Sequence, residues 1–183
     1  NFSPAATLSF DVNDEIMTYV TYSQGYKAGG FTMRALPAQI PGVNITATDP
    51  NVIIPAFGPE KVKNYEIGLK SQLFDDRMRL NLAGFYTNYD SLQLLSTAGV
   101  NITVPVVVNA GDADLWGIEV ESELLVTDWL RMNASLGWLD HEYKTIEPGT
   151  SGVTLTNRLA NAPKWNANIG FTADVMQNEM GHA

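Results

Sequence analysis

The sequence predicts an all-β chain, an antiparallel up-and-down meander that forms a fragment of a large transmembrane β-barrel. Three observations carry this expectation. Stretches such as "MRLNLAGFYTNYD", Met78 to Asp90, alternate with period two, the mark of a strand between two different surroundings. Minimal turns alternate with long links along the chain, as at the two rims of a barrel. In five strands the apolar side runs nine residues from the short turn and ends on Tyr or Trp.

Alternation and turn residues give about seven strands. Ala5 to Val12 and Ile16 to Gln24 flank Asn13-Asp14. Val62 to Phe74 and Arg77 to Thr97 flank Asp75-Asp76, and Thr103 to Val126 and Trp129 to Asp140 flank the corner Val126 to Asp128. Ala162 to Val175 is the last strand. The corners are built from residues that tolerate tight backbone geometry. The links Gly25 to Lys61 and His141 to Asn161 are rich in Gly, Pro, Thr and Asn.

The apolar runs are Leu73 back to Tyr65, Met78 to Tyr86, Leu124 back to Trp116, Leu130 to Trp138, and Ala173 back to Trp165. Eight steps of about 3.3 Å, tilted by about 40°, rise roughly 20 Å, close to the ~25 Å apolar band of a barrel wall. Aromatic rings with polar tips belong where hydrocarbon gives way to water. Tyr65, Tyr86, Trp116, Trp138 and Trp165 are therefore expected to form one girdle on the long-loop side. A soluble sandwich alternates as well, so the placement of the aromatics, and not alternation, separates the two architectures.

The opposite parity is polar, with lumen-wall charges at Arg77, Arg79, Glu119, Glu121, Glu123 and Arg131. A two-residue Asp75-Asp76 loop pairs Leu73 with Met78 and Tyr65 with Tyr86. A Val126 to Asp128 loop pairs Leu124 with Leu130, Trp116 with Trp138 and Glu123 with Arg131. Pairing Tyr86 with Trp116 puts Arg79 opposite Glu123. Each such charge pair contributes about 0.2–1 kcal/mol, which suits wall construction.

Composition narrows the function. The 183 residues suffice for one ordinary domain, and the chain opens at Asn1 without a secretion-signal pattern, which is read as a piece of something larger. Eleven basic and 20 acidic residues give a net charge of -9, so no field draws nucleic acid. With no cysteine there are no disulfides or thiolate sites. The longest apolar runs, "VIIPAF" (Val52 to Phe57) and "VPVVV" (Val104 to Val108), fall far below the roughly 18 residues of a spanning helix. A bilayer would be met with strands.

Four segments taken together resemble the late part of the barrel in TonB-dependent outer-membrane receptors: "YVTYSQGYKAGGF" (Tyr19 to Phe31), "FGPEKVKNYEIGLKSQLFDDRMRLNLAGFYTNYDSLQ" (Phe57 to Gln93), "NAGDADLWGIEVE" (Asn109 to Glu121) and "NAPKWNANIGF" (Asn161 to Phe171). The resemblance implies a bacterial outer-membrane active transporter for ferric siderophores, vitamin B12-like cofactors or some saccharides, with a ferric siderophore the commonest substrate. It implies a 22-stranded barrel, outer-membrane lipid around it, a plug domain inside it, and energy from the TonB complex. Relative to that pattern, residues 1–183 are expected to be a partial β-barrel domain, with plug and terminal strands absent. Seven strands are too few, and odd in number, for a closed bacterial barrel, so this piece is not expected to transport alone.

Other motifs yield blander readings. In "DHE", Asp140 to Glu142, neighbouring side chains point to opposite faces, whereas zinc needs three or four converging ligands. Asp112 and Asp114 in "GDAD" lack the other ligands of a calcium loop and read as a turn or bulge. Glu119, Glu121 and Glu123 suggest a charged wall before glycoside chemistry. "GYKAGGF" lacks phosphate-loop spacing, and Asn44-Ile45-Thr46 and Asn101-Ile102-Thr103 are chance-level glycosylation matches. No nucleophile motif, cofactor site or metal site is expected, and hence no enzyme. The long link from Gly25 to Lys61 is the best candidate for ligand contact, through Phe31, Met33, Leu36, Ile40, Val52, Ile53, Ile54 and Phe57. The competing function is a soluble all-β carbohydrate-binding module, with Trp and Tyr as a sugar-stacking platform.

Overall fold

Runs of alternating residues become long strands, and each pairs with its neighbour in the chain. A computed structural model describes residues 2–32, 56–98, 104–147, 150 and 152–174. The strands are β1 (Ala5–Asn13), β2 (Ile16–Lys27), β3 (Gly30–Phe31), β4 (Ala56–Phe57), β5 (Glu60–Leu73), β6 (Met78–Asp90), β7 (Gln93–Ala98), β8 (Val104–Asn109), β9 (Ala113–Thr127), β10 (Leu130–Tyr143) and β11 (Trp165–Ala173). Seven of them form one sheet in the order β1-β2-β5-β6-β9-β10-β11, antiparallel at every pairing. This is the expected meander. The ribbon β3-β4 lies in the Gly25 to Lys61 link and the ribbon β7-β8 at the far end of the long hairpin expected from Arg77 to Val126; β3 and β4 have two residues each, too short to show any period. Met33, Leu36, Ile40, Val52, Ile53, Ile54 and both glycosylation-like triplets lie outside the described residues.

Two expected strands are broken in the structure. Arg77 to Thr97 divides into β6 and β7, and Thr103 to Val126 into β8 and β9. Ser91 has φ 58° and Gly111 φ 136°, and the backbone groups freed at the break satisfy one another. Leu92 N donates to Gly111 O and Ala110 N to Leu92 O, both at 2.7 Å. A side chain at Gly111 would run into the Thr145 carbonyl, so this close approach needs glycine. The "GDAD" stretch is thus the junction between two ribbons, with the Asp112 carboxylate accepting Ser91 N at 2.9 Å.

The β5-β6 register is as expected, with Leu73 opposite Met78 and Tyr65 opposite Tyr86. Asp75 and Asp76 take φ 53° and 64°, the positive values a primed two-residue turn requires, and Arg77 N closes it onto Phe74 O at 3.2 Å. Across β6-β9, Tyr86 faces Trp116 and Arg79 faces Glu123, again as expected. The β9-β10 register differs from expectation. Thr127 pairs with Leu130 and Leu125 with Arg131, so the turn is Asp128-Trp129 and Val126 is a bulged extra residue. Trp116 consequently faces Asp140, Trp138 faces Ile118, and Glu123 faces Asn133. A shift of two residues leaves every side chain on its predicted face. In the first hairpin Asn13 pairs with Ile16 and Asp11 with Met17, so Asp14-Glu15 makes the turn in place of Asn13-Asp14 and Val12 is the bulged residue.

Among the described residues, none packs over the apolar face of the sheet. Leu8 (72%), Ile67 (64%), Ile118 (54%) and Phe171 (64%) stand exposed, and among the described residues no large side chain is fully buried. The small core that exists lies at the long-loop end, where Leu92, Ala113 and Tyr143 gather Tyr89, Leu94, Ile146, Val153 and Leu159.

On the polar face, cross-strand joints stiffen the sheet. Tyr19 pairs with Gly68, Phe85 with Gly117 and Asn133 with Gly170, and in each pair the larger side chain lies over the glycine. Tyr19 also donates to Glu66 Oε1 at 2.7 Å, with Lys70 Nζ 5.6 Å from its ring centre. Gly68→Val is expected to push Tyr19 off this joint and cost about 1–3 kcal/mol. Tyr19→Ala in the same chain should recover part of that loss, as read by thermal unfolding of the complete protein.

Candidate functional site

The sheet offers three surfaces: an aromatic row on its apolar face, a charged opposite face, and a rim where the long links meet. Tyr22, Tyr65, Tyr86 and Trp116 are direct cross-strand partners from β2 to β9. The Tyr22 and Tyr65 rings meet at 5.1 Å, tilted by 46°. Trp138 pairs with Trp165, and these two sit one step of two residues, about 7 Å, nearer the short turns. Such staggers accompany strand tilt in barrels.

Tyr22 was not among the expected aromatics, because β2 carries Tyr19, Tyr22 and Tyr26 and only its pairing with Tyr65 selects one. Phe74 (68% exposed) and Trp129 (56% exposed) were also missed. They lie at the short turns, outside the alternating runs, and their exposure at that rim is the signal.

On the polar face, Glu123 lies between Arg131, 3.4 Å away, and Arg79, 3.9 Å away. The Arg131 contact survives the altered register as a diagonal one. Arg77 differs from the rest of the charged set. It sits in the β5-β6 turn, meets Asp128 at 3.1 Å and donates to Leu125 O at 3.2 Å, tying two neighbouring turns together. Glu119 and Glu121 face small partners, Ala83 and Gly137, and Asn81 and Ser135. Above them a cavity of about 480 Å³ lies between the wall residues Phe85, Leu115 and Leu139 and the segment Asn161 to Pro163.

The rim joins links that are remote in sequence. The Gln93 side-chain amide donates to Ala28 O and Gly58 O, both at 3.0 Å, and its backbone N donates to buried Glu60 at 2.7 Å. Asn109 grips Gly58 from both sides, accepting its N–H at 2.6 Å and donating to its carbonyl at 3.1 Å. Thr32 accepts from Val107 N at 3.2 Å. The described part of the Gly25 to Lys61 link is thereby sewn to the β7-β8 ribbon.

The "DHE" residues separate as their parity requires. Asp140 meets Lys164 at 3.2 Å, and Glu142 meets Lys144, while His141 points to the other face. Burial, then the Arg158 charge, holds the His141 pKa below its usual value. Asp114, beyond the aromatic row, is buried and takes Asn88 Nδ2 at 2.9 Å and Lys144 Nζ at 3.4 Å. Burial pushes its carboxyl up, but hydrogen bonds from Tyr86, Asn88 and Lys144 outweigh burial, and the net pKa lies below the usual carboxylate range.

A carboxyl whose pKa is depressed on folding stabilises the fold above its unfolded pKa of about 3.9, and that stabilisation fades as pH falls through the folded value. Asp114→Asn is therefore expected to cost about 1–3 kcal/mol at pH 7. The gap from the parent should close below about pH 4, as measured by melting temperature against pH.

Comparison with known proteins identifies the setting. The family described as "TonB dependent receptor-like, beta-barrel" matches residues 1–178. The probable TonB-dependent siderophore receptor PiuA of Acinetobacter baumannii is 25% identical over 95% of this chain, which spans 24% of that protein. The metal-pseudopaline receptor CntO of Pseudomonas aeruginosa is 28% identical over 62% of the chain and 15% of its own length. In fold, the chain is similar to the ferric yersiniabactin uptake receptor FyuA of Yersinia pestis, with TM-score 0.68, 21% identity, and coverage of 97% of this chain and 23% of that one. The chain thus spans about a quarter or less of these relatives. It belongs to the TonB-dependent receptors and forms part of their β-barrel.

Proposed function

We propose that this chain is a section of the barrel wall of a bacterial outer-membrane receptor that takes up a ferric siderophore with energy delivered through TonB. The observation that carries the membrane reading is the uncovered apolar face ending on aromatic residues. A wall in water would hide Ile67, Ile118 and Phe171, whereas hydrocarbon is the solvent in which their exposure costs nothing. Tyr65, Tyr86, Trp116, Trp138 and Trp165, with Tyr22, serve as the girdle at the outer boundary. Phe74 and Trp129 serve at the inner one.

Arg79, Glu119, Glu121, Glu123 and Arg131 face the lumen, where a plug domain of the complete receptor meets them, and Arg77 fastens the inner turns. The siderophore assignment is supported by the relatives, whose descriptions include siderophore and metal-pseudopaline receptors. The wall supplies shape and charge for passage and no bond-making chemistry, so the role is transport and not catalysis.

Deleting the gene for the complete receptor is expected to abolish uptake of its radiolabelled ferric siderophore and slow growth under iron limitation, with restoration by the intact gene but not in cells lacking TonB. Undiminished iron uptake against a panel of chelates would refute the substrate. A purified protein that stays monodisperse without detergent, with tryptophan fluorescence quenched by sugars, would favour the carbohydrate-binding alternative.

A further inference from the structure

We propose that the outward face holds a seat for one phosphate-bearing lipid molecule, with an acyl chain lying over Gly84 and the phosphate bound by Lys63 and the Tyr65 hydroxyl. This rests on the reading that the apolar face meets a membrane.

The seat begins with a glycine that lacks the usual reason to be there. Glycine inside a strand weakens it and leaves nothing to pack. Gly68, Gly117 and Gly170 on the polar face are each filled by the side chain opposite. Gly84 lies on the other face, in the cross-strand row Val20, Ile67, Gly84, Ile118, and a Cβ there would meet nothing closer than 4.0 Å. Its bulky neighbours rise around it, so the row dips at one point. This dip lies within a broader open trough of about 840 Å³, lined by Leu8, Val20, Ile67 and Ile118 and bounded toward the long loops by the aromatic row.

An apolar trough alone does not retain a lipid, because surrounding hydrocarbon is as apolar as the wall. Residence needs a held head group, and the residues above the trough supply one. Lys63 shares the outward face with Tyr65 and Ile67, four residues from Ile67, or about 13 Å along the strand. That separation places an ammonium at the head-group level of a chain lying over Gly84. Lys63 gives one N–H to Asp90 at 2.9 Å, and an ammonium has three donors. The remaining donors and the neighbouring Tyr65 hydroxyl suit phosphate oxygens, whose charge-assisted hydrogen bonds are the strong ones.

The test uses the complete receptor in non-ionic detergent micelles doped with phosphatidylglycerol, read by native mass spectrometry. The parent should keep one phosphatidylglycerol. Gly84→Leu, which fills the trough, and Lys63→Gln, which removes the cation, should each lower retention about tenfold. Gly84→Ala should lower it less, and Ile169→Leu, away from the trough, should leave it unchanged. Millimolar inorganic phosphate should not displace the lipid. Parent-like retention in folded Gly84→Leu or Gly84→Ala, or displacement by free phosphate, would overturn the seat while leaving the membrane reading intact. Solubility of the receptor without detergent would defeat both.

Discussion

The main-chain hydrogen bonding of the seven neighbouring strands is the constraint on which the rest of the molecule depends. A sheet face that exposes Leu8, Ile67 and Phe171 gains nothing from burial against a core, so its order comes from the ladder and from the polar face behind it. In hydrocarbon that ladder is compulsory, because an unpaired N–H or C=O finds no water. The meander satisfies it strand by strand, and each short turn fixes the register of its own hairpin. Bulges at Val126 and near Val12 alter that register without turning any side chain to the wrong face.

The polar face supplies side-chain packing that the apolar face lacks among the described residues. Side chains laid on Gly68, Gly117 and Gly170 provide local packing of the kind that pins register in curved sheets. The Glu123 contacts to Arg79 and Arg131 are exposed, with Glu123 44% accessible, and pairs of that kind contribute about 0–1 kcal/mol. They hold both signs of charge together on the polar face, whereas the joints resist sliding.

At the long-loop end the physics reverses. There, a small buried core around Leu92, Ala113 and Tyr143 and the hydrogen bonds of Gln93 and Asn109 hold irregular backbone in place. Loops held in this way present a fixed surface at that end of the sheet. Gln93 and Asn109 accomplish this with side-chain amides, which supply donors and an acceptor to carbonyls and N–H groups that no strand partner reaches.

The sequence by itself determined the seven strands of the main sheet in outline, their faces, and the registers of β5 with β6 and β6 with β9. Period-two alternation is a local property, and a two-residue turn at Asp75-Asp76 is enough to place Tyr65 opposite Tyr86. It also marked Trp116, Trp138 and Trp165 as the aromatics that end the apolar runs. Only the tertiary structure decided the bulge at Val126, the break of the long hairpin at Ser91 and Gly111, the choice of Tyr22 over Tyr19 and Tyr26, and the hollow at Gly84. Each of these depends on what lies across from a residue, such as the Thr145 carbonyl beside Gly111 or the ring of Tyr65 beside Tyr22. A pattern along one strand records which way a side chain points; what it meets there is fixed by the neighbouring strand.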